Sequence, residues 1–357
     1  MKFIFMSKEE KIAEFNPSNV GVHNGNLFGL PFDEVESKII ILPVPWDVTV
    51  SYGAGTSLGP QAILDASPQL DFYDTDLPEA WKIGFHLQEV SESVEKKSAQ
   101  TRFLSASYIS FLEMGGDITE SQEDAEILKK VNIASEELNK WVEENITETL
   151  KNNKIPALLG GDHSTPLGFY RALANKHSEF GILQIDAHAD LRKAYEGFTY
   201  SHASVFYNAL QIEQVKKLVQ VGIRDICEEE VDFANSQGDR VKIFYDAKLK
   251  EENYIGKTWD KQCDEIIAAL PQKVHISFDI DGLDPKLCPN TGTPVPGGFE
   301  LNQMIHLFRK LVESGKEIIS FDLCEVGTSE GDWDANVGAR LLWKLCVFTA
   351  KSQGLKP

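Results

Sequence analysis

Phe180-Gly181-Ile182-Leu183-Gln184-Ile185-Asp186-Ala187-His188-Ala189-Asp190 decides the fold of this chain. Its opening run, Phe180 to Leu183, is short and apolar, the pattern of a buried strand in a parallel sheet. Strand side chains alternate faces with period two, so Asp186, His188 and Asp190 are expected to point the same way where the strand ends. Two carboxylates and an imidazole separated only by alanine make a poor core. Left unpaired there, the charges would cost roughly several kcal/mol. A divalent cation removes that cost.

Two further stretches repeat the arrangement. Val274-His275-Ile276-Ser277-Phe278-Asp279-Ile280-Asp281 is an apolar strand whose end carries Asp279 and Asp281. Ala157-Leu158-Leu159 runs into a Gly160-Gly161 turn with Asp162 and His163 just beyond. Parallel sheets bind ligands at the carboxyl ends of their strands. His163, Asp186, His188, Asp190, Asp279 and Asp281 are therefore expected to converge. Six donors, four of them carboxylates, exceed the needs of one tetrahedral zinc. Two divalent ions sharing carboxylates fit better.

Gly160-Gly161-Asp162-His163, Asp186-Ala187-His188-Ala189-Asp190 and the run Ser277 to Pro285 (SFDIDGLDP) resemble, in this order and spacing, three signatures of the ureohydrolases. These are the binuclear manganese hydrolases of the arginase and agmatinase family. The resemblance runs from about Ile40 to about Lys344. It implies a three-layer αβα sandwich with a central, mainly parallel sheet. It also implies hydrolysis of a guanidino C–N bond to urea and an amine. The expected cofactor is two Mn2+ per chain, with Ni2+ or Fe2+ as alternatives. By resemblance, His163, Asp186, Asp190 and Asp279 hold one ion. His188, Asp186, Asp279 and Asp281 hold the other, and Asp190 also handles the proton of the attacking water.

Two more site residues rest on the same resemblance. Ser201-His202-Ala203-Ser204-Val205 matches the family segment whose histidine relays protons, although a lone His near a helix start is ordinarily structural. Glu325 ends the apolar run Glu317 to Cys324 and matches the family glutamate that pairs with the guanidinium, a role suited to bidentate carboxylate geometry. The loop from Pro289 to Gly298 (PNTGTPVPGG) and the segment around His202 are most like agmatinases. Agmatine is thus the first expected substrate; guanidine, guanidinobutyrate, formimidoylglutamate and arginine are the alternatives within the family. Agmatinases usually continue Glu-Val-Asn-Pro, whereas Glu325-Val326-Gly327-Thr328 leads here into an acidic segment. Glu330, Asp332 and Asp334 would repel a substrate carboxylate if they face the pocket. A zinc deacetylase on a related fold, or a non-catalytic metal-binding protein, are the readings from other classes. The ligands His163 and Asp190 speak for two metals against the first.

Bulk properties bound the rest. A net charge of −20 argues against nucleic-acid and anionic-membrane partners and favours a cationic substrate. Five cysteines, odd in number and without a Cys-x-x-Cys, suit reduced thiols in the cytoplasm. The apolar start, Phe3 to Met6, is too short for a signal-peptide core, and no run is long enough to span a membrane. The chain is expected to be one catalytic domain over residues 1–357, with 1–37 an extension packed on it, and the resemblance implies a homo-oligomer, a trimer or hexamer. A long amphipathic helix is expected from Ser121 to Asn152 and another from Leu301 to Ser314, with strands at 38–46 and Val219–Arg224. His275 is expected deep in the sheet as a structural residue. Asp162 and Asp284 are expected to serve turns and metal-ligand support.

Overall fold

The computed structural model describes residues 6–329 and 331–357; residues 1–5 and Glu330, both assigned expectations above, lie outside the described residues. Eight strands form one sheet: β1 (Ile39–Val44), β2 (Phe85–Leu87), β3 (Ile155–Gly160), β4 (Phe180–Ile185), β5 (Val215–Ile223), β6 (Val241–Tyr245), β7 (Lys273–Asp279) and β8 (Glu317–Cys324). Their order is β2-β1-β3-β8-β7-β4-β5-β6, and every neighbouring pair is parallel. The expected three-layer architecture is what the chain adopts, with a sheet that is wholly rather than mainly parallel.

Each central strand feeds two cores, because alternate residues leave opposite faces. From β3 and β4, Ala157, Leu159, Leu183 and Ile185 join one core, with Met304, Leu307 and Leu342 from the helices Leu301–Glu313 and Trp333–Ser352. Leu158, Phe180 and Ile182 join the other, with Val131, Leu138 and Val142 from the helix Gln122–Lys151. Burying each such side chain contributes about 1.5–3 kcal/mol. The long helix begins where expected: Ser121 caps it, its hydroxyl accepting the Asp124 amide at 3.3 Å. Pro43 and Pro156 sit in strands without breaking the sheet. At Pro43 the three-residue β2 has already ended, and β8 pairs with β3 only from Ala157 onward. Each proline therefore has a ladder partner on one side only, where a missing N–H is tolerated.

Several helices were not assigned from sequence, Glu92–Glu113 and Trp333–Ser352 being the longest. Glu92–Glu113 buries Ser98, Thr101 and Ser105 while exposing Phe103, so its inner face is not apolar. Trp333–Ser352 is apolar nearly all round, because it lies under the sheet between other helices. In the N-terminal stretch, the helix Lys8–Glu14 is followed by Phe15, whose ring lies 5.8 Å from Phe72 and 5.0 Å from Trp81. Lys11 pairs with Glu36 at 2.6 Å. Among the described residues, no helix is long and apolar enough to cross a membrane.

Candidate metal centre

The candidate residues lie at or beyond the carboxyl ends of β3, β8, β7 and β4, four adjacent strands in the middle of the sheet; Asp279 is the last residue of β7 and His202 comes from the segment beyond β4. What aims each one is turn chemistry rather than strand alternation. β4 stops at Ile185, so Asp186, His188 and Asp190 are not strand positions. Asp186 Oδ1 accepts the His188 amide at 2.6 Å, an Asx-type turn that folds the loop back on itself. Asp190 then adopts φ +53°, a left-handed backbone that costs a non-glycine residue about 1–3 kcal/mol. Its carbonyl holds that geometry by accepting the amides of Phe206 at 3.1 Å and Tyr207 at 3.3 Å. Asp281 likewise lies past β7, in a single 3-10 turn over Ile280–Gly282, with its amide donated to Asp279 Oδ1 at 2.8 Å. Asp186, His188 and Asp190 do converge, but through turns and not through the strand alternation expected of them.

After β3, the Gly160-Gly161 turn packs directly on the loop after β1. A Cβ on Gly161 would sit 2.1 Å from the Trp46 carbonyl oxygen, so only glycine fits. That approach lets the Asp162 amide donate to the Trp46 carbonyl at 2.7 Å and aims His163 inward. Glu325, the residue after β8, also has a left-handed backbone, φ +62°, held by its amide donating to the Gly161 carbonyl at 2.7 Å.

The result is a buried donor cluster. His163 Nδ1 lies 2.9 Å from Asp186 Oδ2, 3.2 Å from Asp190 Oδ2 and 3.3 Å from Asp279 Oδ2. Yet it makes no well-aligned hydrogen bond to any of them. His188 Nδ1 lies 3.0 Å from Asp281 Oδ2 and 3.7 Å from Asp186 Oδ1. Among the described residues three metal-sized groups emerge: His163 with Asp186 and Asp190, and Asp186 with His188 and Asp281, which share Asp186, and on the Nε2 side of the His163 ring a third, His163 with Asp322 and Cys324. Asp279 touches the first through His163 and the second through the Asp281 amide. Four carboxylates and two imidazoles converging without aligned hydrogen bonds at Nδ1 fit two divalent ions better than they fit each other.

The electrostatics agree. Burial alone would lower the pKa of His163, but Asp186, Asp190 and Asp279 hold it well above the usual range. Burial also works against His188, yet Asp281 and Asp186 push it up to about 12. Burial, then the charge of Asp186, raises Asp190 to about 7. Asp279 rises well above the usual range through burial and its neighbours Asp281 and Asp186. The cluster's own charges thus favour bound protons at neutral pH. A metal needs neutral imidazole and ionised carboxylate, so it must displace them. Manganese binding at pH 7 is expected to release about two protons or more, and affinity should rise with pH. Calorimetry in buffers of differing ionisation enthalpy measures this; buffer-independent heats would contradict it.

His202 enters the same cleft, which is also lined by Ser51, His188, Asp190, Tyr195 and Asp225. It is half-buried, with Nδ1 3.3 Å from Ser201 Oγ and 3.5 Å from Thr49 Oγ1. Burial, then the positive neighbours His188 and His163, lower its pKa to about 3, so it is neutral at physiological pH. Glu325 is buried; Oε1 accepts the His163 amide at 2.9 Å and Oε2 has no partner among the described residues. Burial, then the nearby Asp162, keeps its carboxyl well above the usual range.

The rim expectation fails for Asp334. That residue is buried, and its carboxylate accepts the Asn290 amide and side-chain Nδ2, each at 2.9 Å. It pins the loop after β7 instead of facing a substrate. Asp332 is exposed at the start of the last helix.

Several residues around the site went unassigned from sequence. Gln184 Nε2 donates to Asp186 Oδ2 at 2.8 Å, and Ser277 Oγ lies 2.9 Å from His163 Nε2. His275 is deep in the sheet as expected, but bonded to Asp322 at 2.6 Å and Ser320 at 2.7 Å. The signal was present: polar residues at period two inside otherwise apolar strands, His275 and Ser277 on β7, Ser320 and Asp322 on β8.

Comparison with known proteins points one way. The sequence profile of the Arginase family matches residues 37–347. An N(1)-aminopropylagmatine ureohydrolase of Thermus thermophilus is 31% identical over 308 residues, covering 86% of this chain and 88% of that protein. An agmatinase from Bacillus cereus is 27% identical over 291 residues, covering 82% and 84%. The crystal structure of agmatine ureohydrolase from Thermoplasma volcanium superposes with a TM-score of 0.68 at 23% identity, covering 97% of this chain and 99% of that one, and shows the same fold.

Proposed function

Because the chain belongs to the arginase family, we propose that it is an agmatinase-like ureohydrolase whose substrate is a guanidine on a cationic, carboxylate-free tail: agmatine, or agmatine extended at its amine. The observation that carries this is Glu325 Oε2, buried and unpartnered beside the carboxylate cluster. A Cβ on Gly292 would come within 3.2 Å of that oxygen, so glycine there leaves the adjoining space open. A planar guanidinium supplies what an unpaired buried carboxylate lacks. The acidic chain, with Asp225 exposed at the cleft, suits a cationic tail.

His163, Asp186, Asp190 and Asp279 would hold one ion, and His188, Asp186, Asp279 and Asp281 the other. Two divalent ions, taken as Mn2+, supply the charge that brings the pKa of a water towards neutrality. The protein's own groups do the rest. Glu325 orients the guanidinium carbon towards the cleft floor. Asp190 takes up a proton as water adds to that carbon. The C–N bond to the alkyl amine then breaks, the amine nitrogen gains the proton, and urea leaves. His202, neutral and within the same cleft, exchanges protons between the site and solvent. His202→Ala is expected to lower kcat about 100-fold or more with metal content unchanged. Parental turnover across the pH range would return His202 to a structural role.

The test of substrate class is kcat/KM for agmatine, N(1)-aminopropylagmatine, guanidine, guanidinobutyrate and arginine on manganese-loaded protein. The amine-tailed guanidines are expected to exceed arginine by about 10- to 100-fold, because a carboxylate entering an acidic cleft is repelled. Arginine as the best substrate would refute the assignment, and so would urea release from none of the five.

A further inference from the structure

Directly beneath the metal cluster, the sheet carries a row of polar side chains where apolar ones are the rule. Gln220 on β5, Gln184 on β4, Ser277 on β7 and Asp322 on β8 are register partners across four adjacent strands, and none is exposed. His275 and Ser320, two positions back on β7 and β8, are also partners and also fully buried. Apart from Gln220 Oε1, each of these buried polar groups has a hydrogen-bond partner, and partners fix directions.

The directions can be worked out. A carboxylate only accepts. Asp322 Oδ2 takes His275 Nε2 at 2.6 Å, and Oδ1 takes the Ser277 hydroxyl at 2.9 Å. His275 Nδ1 must then accept, and Ser320 Oγ, 2.7 Å away, donates to it. Ser277 has one proton and two claimants, the Asp322 carboxylate and His163 Nε2, both at 2.9 Å. The charge-assisted bond takes it. The Ser277 oxygen is left as an acceptor for His163 Nε2 and for the Tyr170 hydroxyl, which lies 3.0 Å from it and 3.4 Å from Asp322 Oδ2. His163 can meet that oxygen only with a proton on Nε2. In the neutral ring Nδ1 is then the lone-pair nitrogen, aimed among Asp186, Asp190 and Asp279.

We infer that Ser277 and Asp322 are positioning residues that lock His163 into its Nε2–H tautomer, so that Nδ1 is available as a metal ligand. This rests on the two-ion assignment above, but not on any choice of substrate. The two ions should respond differently. The His188 group has no contact with Ser277 or Asp322, and is instead steadied by the Ala187 amide on Asp281 at 3.0 Å. Loss of the lock should therefore weaken one equivalent of metal and spare the other, which a merely structural defect would not do.

The experiment is Mn2+ binding to the full-length protein by calorimetry and by electron paramagnetic resonance counting of free ion. Parent, Ser277→Ala, Ser277→Thr and Asp322→Asn are compared. In Ser277→Ala and Asp322→Asn, one equivalent is expected to bind about 10- to 100-fold more weakly while the second keeps its affinity. Ser277→Thr, which keeps the hydroxyl, should bind both as the parent does. Parental binding of both equivalents by Ser277→Ala, or an equal loss at both sites, would overturn the inference. Should the alanine and asparagine variants fail to fold, the parent itself decides. Long-range 1H–15N spectra of histidine-labelled, zinc-loaded protein are expected to place the His163 proton on Nε2, and a proton on Nδ1 would overturn it. A parent that binds fewer than two equivalents would instead remove the two-ion assignment.

Discussion

Asp186→Ala is expected to strip both ions from the protein and to lower turnover by about 1,000-fold or more. Asp186 is the residue common to the two donor groups, close to His163 through Oδ2 at 2.9 Å and to His188 through Oδ1 at 3.7 Å. Ions in such a site supply several kcal/mol of transition-state stabilisation, and each 1.36 kcal/mol is about tenfold in rate. Asp186→Asn separates charge from shape, because an amide of the same size keeps one oxygen, enough for either the Gln184 bond on Oδ2 or the His188 amide bond on Oδ1. It should fail nearly as badly. The check is elemental analysis of desalted protein beside turnover, with circular dichroism to show the fold intact. Two tightly held ions remaining in either variant would show that Asp186 does not bridge.

Glu325→Gln should leave both ions bound and cost every guanidine alike. The residue is next to the cluster but outside both donor groups, so metal content is expected to match the parent. Removing one partner of a buried charge pair typically costs 2–5 kcal/mol, here a fall in kcat/KM of about 30- to 4,000-fold. The amide can still accept the His163 N–H through its oxygen, so the loop after β3 should hold its place. A variant that lost activity towards agmatine but kept it towards guanidine would assign Glu325 to the tail and not to the reacting group. Asp225→Asn is the complementary change. It lies at the cleft opening and touches no candidate ligand side chain, so its effect should fall on the ranking of tails.

The sequence by itself determined the sheet, the identity of the cluster and its chemical character. The runs at 155–160 and 180–185, apolar but for Gln184, and the alternate apolar residues Val274, Ile276 and Phe278 call for burial, which a parallel sheet between helices provides. Acidic and histidine residues placed just past such runs meet at the carboxyl ends of adjacent strands, so their clustering could be anticipated residue by residue. Only the tertiary structure decided how the cluster is aimed and what supports it. The left-handed backbones of Asp190 and Glu325 depend on carbonyl and amide partners from distant segments, Phe206 and Tyr207 for one and Gly161 for the other. Asp334 looked like a free rim acid because its partner, Asn290, is 44 positions away. The polar floor under His163 exists only because the register of β7 against β8 sets Ser277 beside Asp322, and His275 beside Ser320. A strand's own sequence states which face a residue takes. Which residue it meets there is fixed by pairing between strands remote in the chain, and that pairing is a property of the folded sheet.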